Sequence, residues 1–166
     1  DQPRSRGLGD VYKRQGKAAK QVVTYCIRND IGTLIVGYNT TFQRSSDLGR
    51  QMNQVFVGIP FGILRRKLKY LCEMNGIRYV EQEESYTSMA SFWDLDEMPV
   101  YGEAGLVPPV FSGRRICRGL YQDRSGRRIN ADVNGALNIM RKCNIVSLRA
   151  LYDRGDVDTP VRIRIA

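Results

Sequence analysis

With 166 residues, 42% of them hydrophobic, the chain is long enough for one domain with its own core. Its formal charge of +9 favours polyanionic partners through counterion release and field steering, although many basic proteins bind no nucleic acid specifically. No apolar run reaches transmembrane length and no secretory segment is visible, so the default setting is the bacterial cytoplasm, without a membrane partner.

Residues 5–15, SRGLGDVYKRQ, read as an in-frame translation of a tagmentation sequencing adapter. DVYKRQ corresponds to the transposase mosaic end and SRGLG to the primer sequence before it; the rival reading is a flexible basic arm. On the adapter reading residues 1–15 stand outside the fold, the native sequence begins near Gly16, and removing their surplus of two positive charges leaves +7.

Residues 17–29 carry Ala19, Val22, Val23, Cys26 and Ile27 at helical spacing, with Gly32 following as a stop. TLIVGY (33–38) has the length and β-branched content of a buried strand. Residues 39–54 are polar and predict a loop, with or without a short helix. Pro60 suits the first turn of a helix through Met74, whose Phe61, Leu64, Leu68 and Leu71 recur at three and four residues, and Asn75–Gly76 ends it. Residues 77–83 alternate as a strand that ends among Glu81, Glu83 and Glu84. Residues 89–128 form an insertion, a metal-free loop or β-ribbon built around Phe92, Trp93, Tyr101 and Pro108–Pro109.

The run INADVNGALNIMRK (129–142) predicts the last helix. At about 100° per residue Asp132 falls among Gly135, Ala136, Ile139 and Met140, with Val133 and Leu137 completing that face and Asn134, Asn138, Arg141 and Lys142 on the other side. A buried carboxylate needs a compensating partner, and a divalent cation supplies one. A carboxylate at the end of the preceding strand, Glu83, facing Asp132 would complete an oxygen-rich magnesium site. Residues 143–166 are a tail in which Val161, Ile163 and Ile165 alternate with arginines, as an added edge strand or a disordered segment. The order helix, strand, helix, strand, insertion, helix predicts an α/β fold.

Glu83 followed by Tyr86, Thr87 and Ser88, and Asp132 followed by Asn134, Gly135, Ala136, Asn138 and Ile139, resemble the second and third catalytic segments of TnpB. TnpB proteins are transposon-associated RNA-guided DNA endonucleases related to type V CRISPR effectors. The resemblance covers residues 17–142. It implies an RNase H-like domain of the RuvC type over residues 16–142, N-terminally truncated and lacking its first strands and first catalytic aspartate. It implies two-metal magnesium hydrolysis of DNA with Glu83 and Asp132 as metal ligands and Tyr86, Thr87, Ser88, Asn134 and Asn138 in support. Guide RNA and target DNA are the implied partners, and the truncated chain is expected to be inactive. Many family members carry a four-cysteine zinc ribbon in the insertion. Here that region holds only Cys117; Cys26, Cys72, Cys117 and Cys143 form no C-x-x-C pair and histidine is absent, so no zinc is expected.

Each assignment has a plainer rival. Glu83 reads also as a solvated strand-end acid, with Glu84 the alternative ligand if the register moves by one residue. Asp132 reads also as a first-turn acid favoured by the helix dipole behind an Asn130 cap. Asn134 and Asn138 suit backbone contacts better than metal. Arg65, Arg66, Lys67 and Lys69 are candidate nucleic-acid contacts or a basic solvent face. For the whole chain the alternatives are a noncatalytic nucleic-acid-binding remnant and a RuvC-type resolvase or transposase without guide RNA.

Overall fold

Helix α1 (Pro3–Arg28) buries Gln15, Ala19, Val23 and Cys26, a stripe at helical spacing that packs against Leu68 and Cys72 of α2 (Phe61–Met74). The computed structural model describes residues 3–39, 61–100, 109–148 and 150–151. The observed α1 starts well before residue 17, so the adapter-like segment is itself helical. The stripe continues back to a polar residue, Gln15, which hid the continuation from a search for apolar periodicity. Lys67 Nζ of α2 donates to the Tyr12 carbonyl at 2.7 Å and ties the two helices within this segment.

Both helices end the same way. Asp30 (φ 54°) and Gly76 (φ 68°) turn left-handed, and the next amides, Ile31 and Ile77, return to Cys26 O and Cys72 O, each at 2.9 Å. Each turn leads directly into a strand, β1 (Thr33–Tyr38) and β2 (Arg78–Glu83). Arg78 N donates to Gly32 O at 2.9 Å and Glu84 N to Tyr38 O at 3.1 Å, an equal step on both strands, so the pair is parallel.

The described residues divide into two compact units. The first takes residues up to Val36 and from Phe61 to Val80; its core of Ala19, Val23, Cys26, Leu68, Cys72 and Ile77 is apolar. The second takes Gly37–Asn39 and the residues from Glu81 onward. It holds an antiparallel sheet ordered β3 (Arg114–Cys117), β4 (Leu120–Gln122), β5 (Arg128–Asn130), followed by α3 (Ala131–Cys143). The insertion is therefore a β-ribbon. Tyr121 and Ile129 pair across β4 and β5, and both join Phe92, Ala131 and Leu137 in the core.

Carboxylates knit this ribbon to the loops beside it. Asp96 accepts from Ser91 N at 2.8 Å and Ser112 N at 2.9 Å, Asp94 from Arg124 N at 3.0 Å, and buried Asp123 from Arg127 N at 2.7 Å and Ser125 Oγ at 2.9 Å. Charge-assisted bonds to backbone donors fix loop geometry that short strands alone would leave loose. Trp93 lies edge-on to Phe92, with the Arg127 guanidinium 4.7 Å from the ring centre of Trp93.

Among the described residues no helix is long and apolar enough to cross a membrane. The loop expected over 39–54 beyond Asn39, Tyr101 and Pro108 of the insertion, and the tail pattern at 161–165 lie outside the described residues.

Candidate functional site

Helix α3 is capped as its sequence dictates: the Asn130 side chain accepts from Asp132 N at 2.9 Å and Val133 N at 3.2 Å. Asp132 therefore sits in the first turn, where its charge complements the helix dipole, and it is exposed. This corrects the expectation that Asp132 would be buried on an apolar face. The buried side of α3 is instead Ala131, Asn134, Leu137 and Asn138; the sequence reading had placed the two asparagines opposite the apolar face and Leu137 on it. The physical reason is what α3 packs against: a run of backbone carbonyls and amides, which amide side chains satisfy and leucine does not.

That run is residues 83–92, which travels antiparallel along α3. Lys142 Nζ meets Glu83 Oε2 at 2.5 Å and Ser85 O at 3.3 Å. Asn138 Nδ2 donates to Thr87 O at 2.9 Å and Ala90 O at 2.7 Å. Asn134 Nδ2 donates to Ala90 O at 2.9 Å while its Oδ1 accepts from Phe92 N at 3.1 Å. Positions 134, 138 and 142 differ by four, so one helical stripe supplies all three rungs. Asn134 and Asn138 are completely buried.

The Tyr-Thr-Ser segment makes the turn that starts this run. Tyr86 adopts φ 64°, a conformation costly for a bulky residue, and neighbouring bonds hold it: Thr87 Oγ1 reaches Glu84 O at 2.9 Å and Ala90 N reaches Tyr86 O at 2.9 Å. The Tyr86 ring stacks obliquely on Phe111 at 5.8 Å. Ser88 is exposed.

The two glutamates at the end of β2 have opposite environments. Burial pushes the Glu83 carboxyl up, but bonds from Lys142 and from Ser85 N at 2.6 Å outweigh it and hold the group below its ordinary range. Glu84 is raised, first by burial and then by the charge of Glu83. It lies against Gly37: a Cβ built on Gly37 would overlap Glu84 Oε2 and come within 2.7 Å of Ile139 Cδ1.

The structure does not set Glu83 and Asp132 side by side. Lys142, which holds Glu83, lies ten residues beyond Asp132, roughly 15 Å along the helix axis. Among the described residues no group of three or more His, Cys, Asp or Glu side chains is placed to hold a metal ion. Asp132 and the glutamate pair nonetheless offer hard oxygen donors of the kind magnesium takes, and the Gly37 gap gives one of them a dedicated seat.

Of the basic candidates on α2, Arg66 and Lys69 are exposed and Arg65 is half-buried, within about 100° of one another. Lys67 points elsewhere, to the Tyr12 carbonyl. Sequence reasoning missed Lys142, Ser85 and Gly37. A glycine inside the β-branched run TLIVGY was the available signal, because an interior strand glycine marks a close approach.

A family model described as the Cas12f1-like TNB domain matches residues 61–139. Among solved structures, a chain in the "Cryo-EM structure of the Cas12f1-sgRNA-target DNA complex" superposes with a TM-score of 0.55 at 18% identity. The match covers 81% of this chain and 34% of that one, so this chain spans about a third of that relative. No match is found among curated proteins. The TNB-domain match over residues 61–139 and the shared fold support kinship with the TnpB-like proteins that the two motif segments resemble.

Proposed function

We propose that the chain is the C-terminal, RuvC-type nuclease part of a transposon-encoded, RNA-guided DNA endonuclease with an RNase H-like fold. The observation that carries this reading is the amide ladder: Asn134, Asn138 and Lys142 fasten the glutamate-bearing turn to the helix that presents Asp132. A stack of buried amides bonded to backbone is a costly way to pack a helix, and it fixes position better than apolar packing does. Asp132 and the glutamate pair at the end of β2 would hold magnesium, with a further carboxylate from outside this chain. When bound, two such ions supply Lewis-acid stabilisation and an activated water for phosphodiester hydrolysis.

The chain's own residues do the positioning. The Asn130 cap orients Asp132, the Thr87 bond to Glu84 O fixes the glutamate backbone, and Lys142 neutralises Glu83 so that the adjacent carboxylate charge is tolerated. Guide RNA and target DNA are the proposed partners, with Arg65, Arg66 and Lys69 available to phosphates and base pairing supplying sequence choice.

The test is to express the polypeptide of the intact locus with its flanking DNA, sequence any RNA that copurifies, and challenge the complex with matching DNA in magnesium. A discrete RNA and guide-matched cleavage, abolished by Asp132→Asn, is the expected result. Cleavage without a discrete RNA would instead favour a resolvase or transposase of RuvC type. RNA binding without cleavage in any divalent metal would favour a noncatalytic remnant.

A further inference from the structure

Among the described residues four besides glycine hold a positive φ: Asp30, Tyr86, Leu95 and Asn144. Asp30 and Asn144 are residue types that tolerate the left-handed region, and each sits where a helix ends. The strain at Tyr86 comes with a ring packed on Phe111. Leu95 has no such compensation: at φ 58° it holds a backbone conformation costly for a branched apolar residue, and its side chain is 56% exposed.

The turn that carries Leu95 is nevertheless firmly held. Leu95 N donates to Phe92 O and Asp96 N to Ser91 O, each at 3.3 Å, and Asp94 N donates to Ser91 Oγ at 3.2 Å. The Asp96 carboxylate accepts from Ser91 N and Ser112 N, and that of Asp94 from Arg124 N. A rigid turn thus presents one apolar tip to solvent. Strain that the fold itself does not use points to a contact made outside it.

The surroundings fit a polyanion. Between Pro109 and Asn130 the six arginines, Arg114, Arg115, Arg118, Arg124, Arg127 and Arg128, are all exposed, whereas the one acid, Asp123, is buried. Arg114 and Arg128 flank Gln122 in register across β3, β4 and β5, on the face opposite Tyr121 and Ile129. Arg127 lies over Trp93 and the Arg124 amide is bonded to Asp94, which brings the basic β4–β5 turn to the two residues before Leu95. An apolar tip beside phosphate-binding cations is the arrangement that unstacks bases.

We propose that Leu95 is an apolar wedge that packs on the face of an unstacked base where a DNA duplex opens, while the ribbon arginines hold the flanking phosphates. This rests on the DNA partner proposed above and adds a contact in which no catalytic carboxylate takes part.

Titrating the chain onto two oligonucleotides tests it: a blunt DNA duplex, and the same duplex opening into a single-stranded fork with 2-aminopurine at the last pair. The unaltered chain should prefer the fork and raise its fluorescence on binding. Leu95→Asn should lower fork affinity about tenfold and abolish the fluorescence rise, with affinity for the blunt duplex kept within about threefold. Its melting temperature should not fall, because asparagine tolerates the left-handed turn. Leu95→Met, still apolar and long enough to reach, should retain the fluorescence rise. Arg114→Gln/Arg128→Gln should weaken both oligonucleotides alike and lower the salt dependence by about two phosphate contacts. No fluorescence rise with the unaltered chain, an unchanged rise in Leu95→Asn, or a melting temperature lowered by about 5 °C or more in that variant would overturn the wedge and leave the nuclease reading standing. No binding of either DNA by the unaltered chain would overturn the wedge together with the proposed DNA partner.

Discussion

The first unit is held by an apolar cluster, Ala19, Val23, Cys26, Leu68, Cys72 and Ile77, whereas the second buries Thr87, Ser91, Asp123, Asn134 and Asn138 beside its aromatic residues. In the first, side chains meet side chains, and any group of similar shape and polarity serves. In the second, side chains meet backbone, so each position is fixed by donor and acceptor directions as well as by volume. The difference teaches that apolar burial builds the frame here and polar burial builds the part that aims carboxylates.

The sharpest way to break that comparison is to replace both ladder amides by a residue of matching volume. Asn134→Leu/Asn138→Leu leaves Phe92 N, Thr87 O and Ala90 O without their side-chain partners and should cost about 5 kcal/mol in urea unfolding. A loss under about 1 kcal/mol would show that the second unit, too, is an ordinary apolar core. In the first unit the opposite pattern is expected: Leu68→Ala should cost about 3 kcal/mol and Leu68→Met less than about 1.5 kcal/mol. Urea midpoints of the two variants, measured together, check it.

The same contrast explains what could be read from sequence. The limits of β1 and the end of α2 were legible because apolar periodicity and a following Gly76 state them directly. The ribbon was legible only as a choice between loop and strand. The orientation of α3 was misread: Asn134 and Asn138 have the polarity of a solvent face, and their partners, the carbonyls of Thr87 and Ala90, belong to a segment more than 40 residues away in sequence. No local pattern encodes such partners. Asp132 as a first-turn acid behind Asn130 was legible, and the structure bears out that plainer placement. The seat at Gly37 was not, since it depends on a side chain from β2's end arriving beside it.

A smaller effect sharpens the polar side of the comparison. Burial alone would raise the Asp96 carboxyl, but bonds from Ser112 and Ser91 and the nearby Arg141 charge outweigh it and hold the group low. A depressed carboxyl contributes stability that is present above its unfolded value near 3.9 and is lost as pH falls through its lower folded value. Unfolding free energy measured from about pH 5 to pH 2 should therefore fall more steeply in the unaltered chain than in Asp96→Asn. Parallel curves would contradict the assignment. The least effect belongs to Arg127→Gln: the guanidinium is half exposed beside Asp123 and over Trp93, and its loss should cost about 0.5 kcal/mol in the same assay. A cost above about 2 kcal/mol would mean that the cation over Trp93 is part of the core.

Anomalous diffraction from a crystal soaked in Mn2+ tests the central claim most directly, because it locates the ion among the three acids. The account predicts a peak about 2 Å from carboxylate oxygens of Asp132 or of the glutamate pair at the end of β2. No peak at any of these three acids would contradict it.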